Sequence, residues 1–208
     1  MCTRFYIEND ISGFRKLFEE VRKSALADRF IRKLARPVLY SGEIQPTDIV
    51  PVIAPDRNGN KAAFPMKWGF TLQGSSQPLV NARVETAASK PTFKESWIRH
   101  RCVVPASWYY EWKHYQTSDG KTKTGDKYLI QPKDSSVTWL CGLYRIEGDL
   151  PVFTILTKAP TEELAQIHDR MPLILPESLI DDWINPSLQP EKLIPHVLTD
   201  MVIERATS

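Results

Sequence analysis

The chain has 208 residues, 42% of them hydrophobic and 25% charged, with 27 basic residues against 25 acidic ones for a net charge of +2. That length suits one domain, placed here over 1–208, with a real hydrophobic core, and the composition excludes a largely disordered chain. No apolar run approaches the ~18 residues of a membrane span and the N-terminus lacks the apolar segment of a signal peptide, so a soluble, reducing, cytoplasmic setting is predicted.

Met1 to Ile7 reads as a short extended segment. Asp10 or Ser12 then offers a cap, and Ile11, Phe14, Leu17, Phe18 and Val21 recur at helical spacing, predicting one amphipathic helix that ends between Ala25 and Phe30. Beyond Pro37 short apolar runs alternate with Pro, Gly and polar breaks. Strands are predicted at Val38–Tyr40, Ile49–Ile53, Phe64–Phe70, Arg101–Pro105, Trp108–Trp112, Tyr128–Gln131, Val137–Tyr144 and Pro151–Thr157. Asp56 to Asn60 reads as a turn, and Lys113 to Asp126 as a polar loop joining two antiparallel strands. Thr161 caps a helix running to about His168, Met171–Leu175 reads as a strand, Glu177–Ile184 as a helix, and Gln189–His196 as another short one. The 16 Pro and 6 Trp fit many short elements better than a long bundle. The fold class is α+β, with a curved, mostly antiparallel, barrel-like sheet and peripheral helices.

Charge is distributed unevenly. Residues 1–36 hold nine basic and five acidic residues, residues 83–133 ten and five, and residues 177–208 two and six. This permits a phosphate-binding face outside the C-terminal tail, and is equally the pattern of a mixed charged surface. Three Cys and four His show no zinc spacing, so no metal and no cofactor is expected, and Cys102 and Cys141 sit in apolar runs as buried small hydrophobes.

Four places carry candidate chemistry. Removal of Met1 would leave Cys2 with a free α-amine, whose ordinary pKa of ~7.7–8.0 leaves a neutral fraction able to attack an aldehyde. The adjacent thiol could then close a five-membered ring, or act alone as an acyl-transfer nucleophile. Asn81 at a strand end offers both a donor and an acceptor, with Arg83 on the same face two residues later. In the run Trp108-Tyr109-Tyr110-Glu111-Trp112, strand alternation puts Tyr109, Glu111 and Lys113 on one face. A carboxylate pressed among aromatics acquires a raised pKa, as a general acid requires, whereas an edge-strand Glu in solvent would not. His168 could move protons near neutral pH or simply complement a helix C-terminus, and Arg170 could reach a phosphate.

The blocks Met1-Cys2-x-Arg4-Phe5, Trp68-Gly69, Asn81-Ala82-Arg83-x-Glu85-Thr86, Tyr110-Glu111-Trp112 and Ile167-His168-x-Arg170-Met171-Pro172 occur in an order that resembles the SOS response-associated peptidase (SRAP) family. The likeness spans roughly Cys2 to Leu175. It implies a protein that binds abasic sites in single-stranded DNA and forms a thiazolidine DNA–protein crosslink through Cys2, acting in the cytoplasm at the nucleoid during the DNA damage response. The chemistry would be lyase-like, through a Schiff base. Asn81 would orient the reacting cysteine and sugar, Glu111 assist opening of the deoxyribose ring, and His168 handle protons at the Schiff base. Arg4, Arg83, Thr157 and Arg170 resemble phosphate contacts, and Trp68 resembles an aromatic that stacks on a base beside the lesion. A Cys2-dependent peptidase or autopeptidase is the alternative, and a DNA-binding module without chemistry a third. A monomer is expected, since no interface stripe is evident. Departures from the family pattern are Thr3 and Trp108 where Gly is usual, Phe70-Thr71-Leu72 after Trp-Gly, and Lys158 and Pro160 after Thr157.

Overall fold

A computed structural model describes residues 2–9 and 13–206, with the backbone alone at Gln116. The proposed caps Asp10 and Ser12, with Ile11 and Met1, lie outside the described residues.

Five strands close into a barrel. They are β3 (Ile49–Pro55), β4 (Lys61–Trp68), β6 (Arg101–Ala106), β9 (Thr138–Glu147) and β10 (Leu150–Lys158). Around the ring β10 pairs with β4 in parallel, and β4–β3, β3–β6, β6–β9 and β9–β10 pair antiparallel. Closure removes the open edges and gives β6 and β10 near-continuous burial instead of the alternation of a one-sided sheet. Trp68, Phe153, Val103, Cys102 and Cys141 belong to the resulting core, the two cysteines as the buried hydrophobes the sequence suggests. A second sheet, in the order β12-β8-β7-β1-β2, is built from β1 (Arg4–Ile7), β2 (Gly42–Ile44), β7 (Trp108–Gln116), β8 (Thr122–Pro132) and β12 (Met201–Arg205). Its inner face brings Phe5, Tyr109 and Ile130 into the same core.

The expected α+β class and mostly antiparallel, barrel-like sheet with peripheral helices are observed. Several boundaries differ. The single amphipathic helix is two, α1 (Arg15–Arg22) and α2 (Ala25–Leu34), because Ser24 breaks the run and accepts a hydrogen bond from Ala27 N–H at 3.1 Å as the cap of α2. Val38–Tyr40 forms only an isolated bridge to Ile49. The loop expected over Lys113–Asp126 is mostly hairpin, since β7 and β8 extend into it and pair as far as Gln116↔Thr122. The helix expected from Thr161 to His168 is the short α5 (Glu162–Ala165), and Met171–Leu175 forms two paired residues, β11 (Met171–Pro172), followed by a bridge at Ile174. Further elements are β5 (Asn81–Arg83), α3 (Val84–Ala87) and α4 (Pro91–Arg99), the helix expected over Glu177–Ile184 and the short one over Gln189–His196 are present as brief helical turns, and β12 occupies the acidic tail. Among the described residues no helix is long and apolar enough to cross a membrane.

Two local devices fix this frame. Arg101, 1% exposed, donates to five backbone carbonyls, those of Trp97, Ile98, Trp183, Asn185 and Leu188, at 2.5 to 2.9 Å. All five guanidinium N–H groups are thereby matched, and the helix α6 (Ile180–Ile184) is fastened to the barrel wall. Gly142 lies opposite Ile155, where β9 and β10 run so close that a Cβ would sit 2.7 Å from the Thr154 carbonyl oxygen and 3.1 Å from Cys102 Sγ. Gly142→Ala is therefore expected to destabilise the fold by about 1–3 kcal/mol through overpacking at the barrel seam. A urea titration showing an unchanged midpoint would contradict that close approach.

Candidate functional site

The site forms where the N-terminal segment passes between the two sheets. Cys2 precedes β1, which pairs antiparallel with β7 through Arg4↔Tyr110, Phe5↔Tyr109 and Tyr6↔Trp108. On the other side β5 pairs in parallel with β10, Asn81 opposite Ile155. Asn81 Nδ2 donates to the Cys2 carbonyl oxygen at 2.8 Å, and Asn81 Oδ1 is buried with no hydrogen-bond partner among the described residues. A buried acceptor of this kind is ready for a donor brought by a ligand.

β7 supplies the acid. Tyr109 and Glu111 share its inner face, and Glu111 is only 4% exposed. Burial lifts the Glu111 carboxyl from 4.5 to about 7; the positive α-amine at the start of the chain opposes the rise and Asp169 adds to it. The Cys2 thiol is pushed well up, first by burial and then by the Glu111 charge, and the Tyr109 phenol is raised by burial, with Cys2 and Glu111 adding. The three groups thus feel one another's charge. Cys2 is completely buried in the chain that carries Met1.

His168 lies in the turn between α5 and β11. Its Nδ1 lies 3.1 Å from the Arg170 backbone nitrogen. Asp169 Oδ1 lies 2.8 Å from the same nitrogen and accepts a hydrogen bond whenever that nitrogen carries a proton. Burial lowers the His168 pKa most; the α-amine and His114 lower it further, while Asp169 works the other way. The His114 ring meets His168 edge-on, centroids 5.9 Å apart.

Cys2, Asn81, Glu111 and His168, singled out from sequence, therefore converge. The five proposed DNA contacts divide. Arg83 is exposed, with no ion pair among the described residues, beside the site on β5. Arg4 lies on the outer face of its sheet with Tyr110, donating to Gln45 Oε1 at 2.6 Å and 3.4 Å from Glu43. Arg170 grips Glu85 through both terminal nitrogens at 2.9 and 2.7 Å and donates to the Thr157 carbonyl at 2.8 Å. A phosphate there would have to displace Glu85. The other two, Trp68 and Thr157, are buried. Trp68 is 0% exposed, its indole N–H donating to the Val80 carbonyl at 2.9 Å and its ring packed on Phe5 and Phe153, so it offers no open face to a base. Thr157 is 1% exposed, its hydroxyl 3.5 Å from the Ala82 carbonyl. Sequence reading missed His114 and Asp169. His114 fell in the segment assigned to a loop, and nothing local marks a contact with His168 more than fifty residues away.

A small closed barrel with a thiol, a near-neutral carboxylic acid, an amide and an imidazole gathered at the N-terminal segment defines the class. The chain belongs to the SOS response associated peptidase (SRAP) family, whose model matches residues 1–206. It is 30% identical over 196 residues to the abasic site processing protein YoqW of Bacillus subtilis, covering 89% of this chain and 81% of that one. To the abasic site processing protein YedK of Escherichia coli it is 31% identical over 128 residues, covering 58% and 54%. A crystal structure of a Bacteroides thetaiotaomicron protein shares the fold with a TM-score of 0.70 at 21% identity, covering 98% of this chain and 92% of that one.

The Glu111 environment has a consequence for stability. Its folded pKa of about 7 exceeds its ordinary 4.5, so the folded state holds the proton more tightly. Its contribution to stability is fully present below the ordinary value and is lost as pH rises to about 7, a change on the order of 3 kcal/mol. Glu111→Gln should accordingly be more stable than the parent at about pH 8, and the advantage should shrink toward about pH 4. A difference in urea midpoint independent of pH would contradict this burial.

Proposed function

We propose that this protein binds abasic sites in single-stranded DNA and, once Met1 is removed, joins them covalently to Cys2. The α-amine nitrogen attacks the C1′ aldehyde of the ring-opened deoxyribose, and loss of one water gives a Schiff base. The thiol then adds across the C=N bond, sulfur to carbon and hydrogen to nitrogen, closing a thiazolidine. The net change is loss of one water, with no oxidant or reductant. The observation that carries this reading is the buried Glu111, with a pKa near 7 and within electrostatic reach of the Cys2 thiol. At neutral pH such a group is part acid and part base, suited to protonating the sugar ring oxygen as the ring opens. The Asn81 hydrogen bond holds the Cys2 carbonyl, while its buried Oδ1 is placed for an amine or sugar hydroxyl. His168, its pKa lowered by burial, can give and take protons as water leaves. Arg83 and the names of the abasic site processing relatives support a DNA ligand.

On a denaturing gel, Met1-free protein and a single-stranded oligonucleotide with one abasic site should give a shifted band. Cys2→Ala and an undamaged oligonucleotide should give none, and Asn81→Ala should slow the band roughly tenfold or more by loosening the reacting geometry. No band from protein shown by mass to lack Met1 would overturn the proposal, and amide hydrolysis would then be assayed.

The pH profile follows from two groups. The neutral amine fraction rises up to ~7.7–8.0, while the acid form of Glu111 declines above about 7. Crosslinking should peak between about pH 7 and about pH 8, and Glu111→Gln should be slower and lose the alkaline fall. A parent profile that keeps rising to about pH 9 would remove Glu111 from the acid role.

A further inference from the structure

The outer face of β7 carries chemistry that the Cys2 cluster does not use. Tyr6 and Trp108, directly opposite across β1 and β7, stack in parallel, centroids 4.7 Å apart and planes within 1°. Tyr110 meets Trp108 edge-on at 6.5 Å, and Lys127 Nζ sits 3.7 Å above the Tyr110 ring and 5.3 Å from that of Trp112. Tyr6, Trp108 and Tyr110, with Glu8 and Asn9, line an open recess of about 580 Å³. Register places Arg4 beside Tyr110 on this same face. Glu43 ties the cations together, 3.4 Å from Arg4 and 2.7 Å from Lys127, leaving the trio one positive charge. The cations stand at the Cys2 end of the face and the Glu8 carboxylate at the far end, because β1 runs from Arg4 toward Glu8.

We propose that this face is a second nucleic-acid subsite, on which unpaired bases flanking the lesion stack on the Trp108–Tyr6 pair while Arg4 and Lys127 meet the backbone. The proposal rests on the abasic-site reading given above. Its geometry is that of a path. Trp112, Tyr110 and Trp108 alternate along β7 and lead away from the Cys2 end over about 14 Å, at about 3.4 Å per residue, with Lys127 lying over the nearly buried Tyr110 ring and the Trp108–Tyr6 pair left as the stacking platform. That length matches roughly four stacked nucleotides at about 3.4 Å per nucleotide of one strand. Stacking on aromatic rings tolerates any base, as a subsite beside a randomly placed lesion requires. A strand arriving from the site would meet cations first and aromatics next, and the Glu8 end would repel a further phosphate, setting the length of the subsite.

The test uses oligonucleotides with a tetrahydrofuran abasic analogue, which has no aldehyde and cannot crosslink, so binding is read apart from the chemistry. One set carries about five flanking nucleotides on each side, the others a single nucleotide on one side or the other. Trp108→Ala and Tyr6→Ala are expected to weaken binding about tenfold for the long oligonucleotide. Both should match the parent on whichever truncated oligonucleotide lacks the flank that reaches this face, and Trp108→Phe should retain most of the affinity. A circular dichroism melt of each variant checks folding. Equal affinity of folded Trp108→Ala and parent for every oligonucleotide would overturn the subsite, as would a loss that is the same with and without either flank. A parent that binds these oligonucleotides yet forms no crosslink with a true abasic site would instead sink the covalent reading and leave the subsite standing.

Discussion

The arrangement depends on β10 and on the way its two edges change partners. Along one edge its first six residues pair with β9 to close the barrel. Leu173 then wedges in between, its N–H donating to the Leu156 carbonyl and its carbonyl accepting from Cys141 N–H, and β11 takes over at Thr157 and Lys158. Along the other edge β4 pairs at Val152 and Phe153, and β5 follows from Ile155 to Thr157. One strand thereby fixes both Asn81 on β5 and the His168–Arg170 turn that enters β11. Backbone ladders hold positions more tightly than loop contacts do, so two groups 87 residues apart in the chain share one site.

Burial does the electrostatic tuning. Cys2, Tyr109 and Glu111 are removed from water on one inner face, and each resists ionisation for that reason first. The same desolvation that raises Glu111 to about 7 costs stability once the carboxyl ionises. The Arg101 clamp on five carbonyls and the packed barrel core offset such costs elsewhere in the fold. Arg170 shows a related economy of position. Its two hydrogen bonds to Glu85 and its contact with the Thr157 carbonyl pin the turn that presents His168.

β7 separates two functions by its pleat. Odd-numbered Tyr109 and Glu111 point into the protein toward Cys2, and even-numbered Trp108, Tyr110 and Trp112 point out, where Lys127 and Arg4 join them. Trp108 therefore does not shape the Cys2 pocket. Its ring stacks on Tyr6, on the opposite face of the strand.

Local pattern determined a good deal. Alternation in the Trp108–Trp112 run put Tyr109 with Glu111, and the burial of that face follows, since period two is a property of any strand. Most barrel strands were legible because closed-barrel strands read as short apolar runs between turns. Helix lengths were not, because Ser24 competes for the backbone within an unbroken apolar periodicity, and tertiary contacts decided where α5 stops. The DNA contacts show the same divide. Residue type marked Trp68 and Thr157 as suitable for bases and phosphates, but a side chain's type does not say whether solvent reaches it. Barrel closure buried both, and the pairing of β1 with β7 turned Arg4 outward to Tyr110. The sequence by itself determined which groups carry chemistry, because ionisation and nucleophilicity belong to the residue. Only the tertiary structure decided which of them meet, at what pKa and on which side of a strand, because those depend on distances and burial set by residues far away in the chain.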